Sequence, residues 1–313
     1  MFPELKKLFE EIGIKKNNYD DLHIARMLSS FVAVSQGEVI KITEPTLKYC
    51  PLVDIMNKDM NKKNLSIKKL KHNIQKSITG KIKKFGYYTA DRELERKKIA
   101  IPYGASEMIS YACKKGIIDA AVVACDGTGT IVVDKPELIQ GIGARMNGLF
   151  YTTPITEVIN NLEARGCRVI FPGTAKINQI PGIKKAAELG YKNIAVTING
   201  YLGDSLQSLH KIEKNNNISI TSLMVCNTAA KPERIREIND NADLVWSCAS
   251  RGIREQTAKE SILQITTGIP VFVLTKKGLD FVAGYAKKPE IIRSLNPENS
   301  TFCPDIIRGK RYQ

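Results

Sequence analysis

The sequence predicts an α/β protein in which a mostly parallel sheet is covered by helices on both faces. From Ser106 onward, helix-like segments alternate with short apolar runs. These runs, such as 118–124 and 193–198, are rich in valine, isoleucine and alanine, which is typical of parallel strands buried on both faces. Because parallel neighbours need a crossover connection, the intervening helices fit the same architecture.

The regular part of the chain can be divided into individual elements. The predicted helices, several of which end at a glycine, span 106–115, 156–165, 183–189, 205–214, 232–239, 255–266 and 277–286. The predicted strands, which are short and apolar, span 118–124, 168–171, 193–198, 218–225, 242–246 and 270–274. Their alternation is the basis of the fold-class prediction.

The first part of the chain is predicted to form a helical and hairpin extension. Residues 5–12 and 19–30 have helix-like patterns, and a turn at Gln36-Gly37 joins two strand-like runs. We expect the N-terminal helical extension to span residues 1–35 and the α/β core domain to span 36–286. A polar C-terminal tail is predicted for 287–313.

Residues 57–98 form a strongly basic segment, with fourteen lysines and arginines and four acidic residues in a chain of net charge +15. Within it, Leu70, Ile74 and Ile78 follow helical spacing behind Ser66, which predicts a capped helix with solvated lysines. The alternative is a docking surface for an acidic protein partner. Nucleic-acid binding is not expected, because few aromatic residues are interleaved and no nucleic-acid motif is present.

Hydropathy and cysteine content indicate a cytoplasmic protein without membrane contact. No stretch reaches the ~20 apolar residues that a membrane span needs, and the N-terminus has no apolar signal region. The seven cysteines are odd in number and lack the spacing of a disulfide scaffold. We therefore expect free thiols or metal ligands.

Cysteines follow three of the predicted strands. Cys125, Cys226 and Cys248 stand at the carboxyl ends of their strands, where ligands bind in open parallel sheets. Cys50, in a loop before a proline, is a fourth candidate. Thiolates gathered in this way suit an iron–sulfur cluster, with zinc as the alternative. The competing interpretation is that these cysteines are small apolar core residues, as expected for Cys113 and Cys167.

The loop that follows Cys125 could contribute binding groups. Asp126 is a candidate acid or base, and the next four residues could cradle an oxyanion with backbone N–H groups and hydroxyls: Gly127, Thr128, Gly129 and Thr130. The order of strand, glycine-rich loop and strand also resembles the phosphate loop of actin-like ATPases and sugar kinases. A glycine-rich hairpin turn is an equally good explanation.

Three arginines are candidate anion clamps. Arg145 lies in the glycine-containing stretch Gly141-Ile-Gly-Ala-Arg, where it could bind a carboxylate or phosphate or be an ordinary surface residue. Arg251 and Arg254 come just after Cys248, where they could bind an anionic substrate or pair with Glu255.

Several motifs in one order resemble the methanogenesis marker protein 8 family, over about Gly37 to about Tyr285. The matching stretches are Lys48-Tyr-Cys-Pro, Ile118-Asp-Ala-Ala-Val-Val-Ala-Cys-Asp-Gly-Thr-Gly-Thr, Gln140-Gly-Ile-Gly-Ala-Arg, Glu188-Leu-Gly-Tyr-Lys-Asn-Ile-Ala-Val-Thr and Cys248-Ala-Ser-Arg-Gly-Ile-Arg-Glu. The resemblance implies a strictly anaerobic cytoplasm, in which an oxygen-sensitive cluster survives. Cys50, Cys125 and Cys248 lie within the matching motifs, whereas Cys226 does not.

We therefore expect an α/β enzyme that holds a 4Fe-4S cluster through Cys50, Cys125 and Cys248. The cluster would act as Lewis acid or sulfur acceptor on a small anionic substrate, in a lyase or sulfur-transfer reaction. Asp126 and Arg145 are the expected catalytic residues. Two alternatives stay open: a non-enzymatic accessory protein for anaerobic one-carbon enzymes, and a phosphate-loop ATPase or kinase.

Overall fold

The computed structural model describes residues 3–47, 65–146, 148–266, 269–286 and 306–308. The contacts between residues divide the chain into two compact units. The first unit consists of Met1–Leu94, Ala124–Ile131 and Met146–Ile177. The second consists of Glu95–Val123, Val132–Arg145 and Asn178–Gln313. Cys50, which was predicted as a metal ligand, lies outside the described residues.

The first unit is built around a four-stranded antiparallel sheet in the order β3-β2-β1-β6. Its strands are β1 (His23–Met27), β2 (Ser30–Ser35), β3 (Glu38–Ile42) and β6 (Gly148–Tyr151). Its other elements are α1 (Pro3–Ile12), a 3-10 turn (Lys16–Asn18), α2 (Ile67–Phe85), α5 (Thr156–Ala164) and β7 (Arg168–Val169). The predicted hairpin is confirmed, with Ser35 opposite Glu38 in β2 and β3.

Helix α2 confirms the prediction for the basic segment. The Ser66 hydroxyl accepts a hydrogen bond from the Lys69 N–H, at 3.3 Å, and caps the helix. The apolar side of α2 (Leu70, Ile74 and Ile78) is buried in a core shared with β2. In the described part of the chain, α2 and the other helices are all too short or too polar to cross a membrane.

The second unit contains the larger, mixed sheet. Strands β10, β9, β8 and β4 are parallel neighbours, and β12, β11 and β13 continue the sheet in antiparallel pairing. The strands are β4 (Ala120–Cys125), β8 (Asn193–Asn199), β9 (Ser219–Val225), β10 (Leu244–Trp246), β11 (Leu263–Ile265), β12 (Val271–Val273) and β13 (Ile306–Arg308). A further strand, β5 (Gly129–Val133), follows β4. The chain passes between the two units within β4 and again within β5.

Helices alternate with the strands of the second unit, as expected. They are α3 (Ala105–Lys114), α4 (Pro136–Gly143), α6 (Gln179–Glu188), α7 (Gln207–Asn216) and α8 (Pro232–Asn241). A π-helical stretch (Ile253–Thr257) runs into α9 (Ala258–Glu260), and α10 (Lys276–Ala286) follows β12. The α/β class is therefore confirmed, but the sheet is mixed and not mostly parallel. The five residues between β11 and β12 are too few for a crossover, so this pair is antiparallel.

Two predicted helices are wrong in whole or in part. Residues 19–30, expected as a helix, instead form β1 and the start of β2, joined by Leu28 and Ser29 in left-handed conformations (φ 52° and 64°). Left-handed backbone at both turn positions favours a tight hairpin. The helix predicted for 255–266 ends at Glu260, because Leu263–Ile265 pairs with β12.

Candidate functional site at the carboxyl ends of the parallel strands

The strands β8, β9 and β10 run parallel and therefore end at one edge of the sheet. Leu244 and Val245 of β10 lie opposite Leu223 and Met224 of β9. Cys226 directly follows β9, and Cys248 lies two residues beyond β10. Two neighbouring strands thus each lead into a cysteine, and both cysteines are half-buried. Neither of them forms a disulfide with any residue that the structure describes.

Both cysteines have left-handed backbone conformations. Cys226 has φ 57° and Cys248 has φ 49°, and Ala229 in the same loop has φ 62°. Such conformations are uncommon for residues with a Cβ and persist where the surrounding structure enforces them. The turn out of each strand therefore places a cysteine just beyond the strand end at a cost in backbone strain.

Asn227 forms hydrogen bonds with residues at the ends of both strands, β9 and β10. Its Nδ2 group donates to the carbonyl oxygen of Met224 at 2.9 Å and to that of Trp246 at 2.8 Å, and the residue is fully buried. A Cβ at Gly200, after β8, would come within 1.7 Å of the Asn227 Oδ1 atom. The site therefore needs glycine at position 200. The role of Asn227 was missed from sequence, where its only signal is its place after a strand-end cysteine.

Arg254 is held beside Cys248. Its Nη2 group donates to the Cys248 carbonyl oxygen at 2.9 Å, and its side chain is half-buried. Arg251 is exposed, with its Nε atom 2.5 Å from Glu255 Oε1. Ser250 begins this helical stretch, since its hydroxyl accepts from the Ile253 N–H at 3.3 Å. Of the two predicted clamps, Arg254 is thus held by the backbone carbonyl of Cys248, and Arg251 is paired with Glu255.

Cys125 belongs to the first unit and has a different environment. Its side chain is fully buried, and its Sγ donates to the Asp126 carbonyl oxygen at 3.4 Å. Burial, followed by the charge of Asp126, raises the pKa of this thiol far above its ordinary value. Because metals bind the thiolate, this environment opposes ligation by Cys125. With Cys50 outside the described residues, the site of Cys50, Cys125 and Cys248 stays a prediction.

Asp126 is fully engaged in a buried ion pair. Its Oδ1 atom lies 3.0 Å from Arg92 Nε, its Oδ2 accepts from the Tyr88 N–H at 2.7 Å, and both ionic side chains are 1% exposed. The Arg92 guanidinium also lies over the Tyr87 ring, 3.7 Å from its centroid. Burial alone lowers the pKa of Arg92, but Asp126 outweighs it and raises that pKa above its ordinary value. These contacts fix the loop after α2 and favour a structural role for Asp126.

The turn after Asp126 uses its backbone groups within the protein. Gly127 N–H donates to Thr152 Oγ1 at 2.8 Å, Thr128 N–H to the Cys125 carbonyl at 3.3 Å, and Thr130 N–H to the Lys176 carbonyl at 3.1 Å. All of residues 126–130 are buried. This arrangement favours the hairpin-turn interpretation over a phosphate cradle.

His23 lies beside this turn, which the sequence did not suggest. Its Nδ1 atom is 2.6 Å from Thr152 Oγ1, and its Nε2 atom is 2.6 Å from Asp21 Oδ1. Burial raises the pKa of the Asp21 carboxyl, but the hydrogen bond and charge of His23 bring it below its ordinary value. His23 and Thr152 are both buried, and their contacts join β1 to the segment just after β6 and to the turn.

Arg145 follows a helix instead of a glycine-rich loop. Gly141 and Gly143 are part of α4, and a Cβ at Gly143 would come within 2.5 Å of Ser106 Cβ in α3. The glycine therefore allows close packing of α3 and α4. Arg145 is half-buried with φ 64°. Its predicted clamp role stays a prediction.

In the described part of the chain, no three histidine, cysteine, aspartate or glutamate side chains group closely enough to hold a metal ion. Within the second unit, two cysteines and one arginine therefore define the candidate site. Fold and site together describe an α/β protein with a cysteine after each of two neighbouring parallel strands, at their carboxyl ends.

The chain belongs to an archaeal family described as "Uncharacterized protein conserved in archaea (DUF2099)", which matches residues 23–287. It is also 38% identical to "Uncharacterized protein MJ0054" of Methanocaldococcus jannaschii over 269 residues, or 85% of this chain and 91% of that protein. The family match begins within β1, in the first unit, and ends beyond α10, in the second. Both units therefore belong to the archaeal family.

Proposed function

We propose that the protein is a metal-dependent enzyme whose second unit binds an iron–sulfur cluster, or alternatively zinc, through Cys226 and Cys248. The observation that supports this most directly is that two neighbouring parallel strands each lead into a half-buried cysteine in a left-handed conformation. Cys248 was predicted as a ligand, and Cys226 replaces Cys125 in this proposal.

Thiolates are the preferred ligands of iron–sulfur clusters and of zinc. Cys226 and Cys248 are only partly buried, so their thiolates lose less solvation than a thiolate at Cys125 would. Two protein thiolates leave coordination positions for further ligands and for substrate. When bound, the metal supplies a Lewis acid or a sulfur-binding centre.

The substrate in this proposal is a small anion. Arg254 is oriented by its bond to the Cys248 carbonyl, and a guanidinium can bind a carboxylate through two N–H groups. The start of the helical stretch after Ser250 adds a favourable dipole for negative charge. A lyase or sulfur-transfer reaction fits a thiolate-bound metal beside such a clamp.

The biological setting is part of the same proposal. Membership in an archaeal family and similarity to a protein of Methanocaldococcus jannaschii support a role in anaerobic cytoplasmic metabolism. Assignment to methanogenesis marker protein 8 rests on the sequence motifs described above. An oxygen-poor cytoplasm would preserve an exposed cluster.

The proposal is tested by the iron, zinc and acid-labile sulfide content of protein purified without oxygen. We expect Cys226→Ser and Cys248→Ser each to lower metal occupancy at least tenfold. Cys113→Ser is the matched control, because Cys113 is also half-buried in the second unit but is not a proposed ligand. Its thiol donates a hydrogen bond to the Asp134 carbonyl oxygen. Wild-type protein without metal after reconstitution, or variants that retain it, would show the proposal to be wrong.

Asn227→Ala should weaken metal binding without removing a ligand. The substitution leaves the buried carbonyls of Met224 and Trp246 without their shared donor, which costs about 1–3 kcal/mol. Loss of such a supporting residue typically costs about 10–100-fold in metal affinity. Competition with a chelator measures the affinity, and Asn241→Ala is the control, since its Nδ2 makes a single bond within α8. Equal affinities in the two variants would contradict the positioning role of Asn227.

A further inference from the structure

We infer that the exposed face of helix α2 is a docking surface for an acidic helix of a partner protein. Lys69, Lys76 and Lys83, which we call the lysine row, are all exposed. They recur every seven residues, so they lie nearly in line on the side opposite Leu70, Ile74 and Ile78. This inference concerns the first unit and is independent of the metal site.

The charge of α2 differs from that of the other surface helices. Its 19 residues include seven lysines and no acidic residue. Helices α6 and α8, in contrast, contain both signs of charge and pair them, as in Lys185 with Glu188 and Arg234 with Glu237. A helix that only contacts water can contain acidic as well as basic residues. The exclusively positive charge of α2 therefore favours binding to an anionic partner.

The distribution of lysines along α2 is unfavourable for an isolated helix. Lys68, Lys69 and Lys71 occupy the beginning of the helix, where the macrodipole is positive and acidic side chains are favoured. Like charges three or four residues apart, such as Lys81 and Lys84, also repel each other. Carboxylates of a partner would relieve both effects, and an acidic group near Ser66 would interact with the lysines and the dipole together.

An acidic helix fits this surface better than nucleic acid or membrane. The helix lacks arginine, which binds phosphates with a paired set of N–H groups, and Phe85, its only phenylalanine, tyrosine or tryptophan, is half-buried. Apart from Ile67, its large apolar side chains are buried or half-buried, so little is available to insert into lipid. A seven-residue repeat is the spacing by which one helix faces another along a shared seam.

The test uses the full-length protein and a labelled helical peptide with glutamates repeated every seven residues, followed by fluorescence anisotropy at about 10 mM ionic strength, where screening is weak. We expect the triple variant Lys69→Glu, Lys76→Glu and Lys83→Glu to bind the peptide at least fivefold more weakly than wild type. The control variant Lys192→Glu, Lys211→Glu and Lys259→Glu changes three exposed lysines of the second unit and has the same net charge. It should stay within twofold of wild type.

Three results would overturn the inference. Equal weakening in both triple variants would show that only net charge matters. Absence of peptide binding by the wild-type protein would show that α2 is not a docking surface for an acidic helix. Tighter binding of poly-uridylate, or of phosphatidylglycerol vesicles, than of the peptide would assign the lysine row to another class of partner. A variant with glutamine at all three positions of the lysine row is the control for misfolding caused by charge reversal. We expect its affinity for the peptide to lie between those of the wild type and the glutamate variant.

Discussion

Replacing Asp126 with alanine is expected to lower the free energy of unfolding by about 3–5 kcal/mol, because it leaves the Arg92 guanidinium buried without its counter-ion. The substitution also removes the carboxylate oxygen that accepts the hydrogen bond of the Tyr88 N–H. Urea denaturation of the full chain measures the change. A fall of less than about 1 kcal/mol would contradict a structural role for the pair.

Two further variants distinguish the effect of an unpaired buried charge from other effects of substitution in this loop. Asp91→Ala removes an exposed carboxylate close in sequence, and it should change stability by less than about 0.5 kcal/mol. The double variant Arg92→Met with Asp126→Ala should be more stable than Asp126→Ala alone, since it no longer buries an unpaired charge. If the double variant is the less stable of the two, the buried charge is not the source of the loss.

Gly129→Ala is expected to destabilise the protein by about 3 kcal/mol or more, from two sources. Gly129 has φ 69°, and an added Cβ would lie 2.2 Å from the Ala175 carbonyl oxygen and 2.5 Å from that of Lys176. A left-handed conformation costs a residue with a Cβ about 1–2 kcal/mol, and overpacking adds about 1–3 kcal/mol. Thermal or urea denaturation measures the loss.

Gly116 provides a matched control for the backbone contribution. It has nearly the same conformation, φ 67°, but an added Cβ would have no neighbour within 4 Å among the described residues. Gly116→Ala should therefore cost only about 1–2 kcal/mol. Equal losses at the two positions would show that Gly129 is required for its conformation and not for close packing of the turn.

Much of the fold could be predicted because its signals are local. Ser66 capping, the apolar spacing in α2 and the helix ends at Gly116 and Gly190 are all encoded within a few residues. The same is true of β8 and β9, whose apolar runs are long enough to be recognised as strands. Helix α4 was missed because Gly141 and Gly143 indicate a loop, whereas packing against α3 stabilises a helix there.

The parts that failed depend on contacts between distant residues. Strand β1 was mistaken for a helix because its turn, Leu28-Ser29, has no glycine or asparagine, and pairing with β6 determines its structure. The ion pair of Asp126 could not be predicted either, because its partner, Arg92, lies 34 residues earlier in the chain. No spacing rule connects such a pair.

The candidate site was predictable only as a set of positions. The rule that ligands bind at the carboxyl ends of parallel strands selected Cys226 and Cys248 as candidates. It could not distinguish a fully buried thiol, as at Cys125, from a half-buried one. Nor could it reveal that Asn227 joins the two strand ends, since the carbonyls that it binds belong to different strands.

The most direct test of the metal site is alkylation of the full-length protein with and without reconstituted iron or zinc, with each cysteine followed by mass spectrometry. Cys113 is an internal control, because burial and then Asp134 raise the pKa of this half-buried thiol to about 11, and it is not a proposed ligand. We predict that metal lowers the alkylation rates of Cys226 and Cys248 together, at least tenfold, and leaves that of Cys113 unchanged. Unchanged rates at Cys226 and Cys248 in the presence of bound metal would contradict the account.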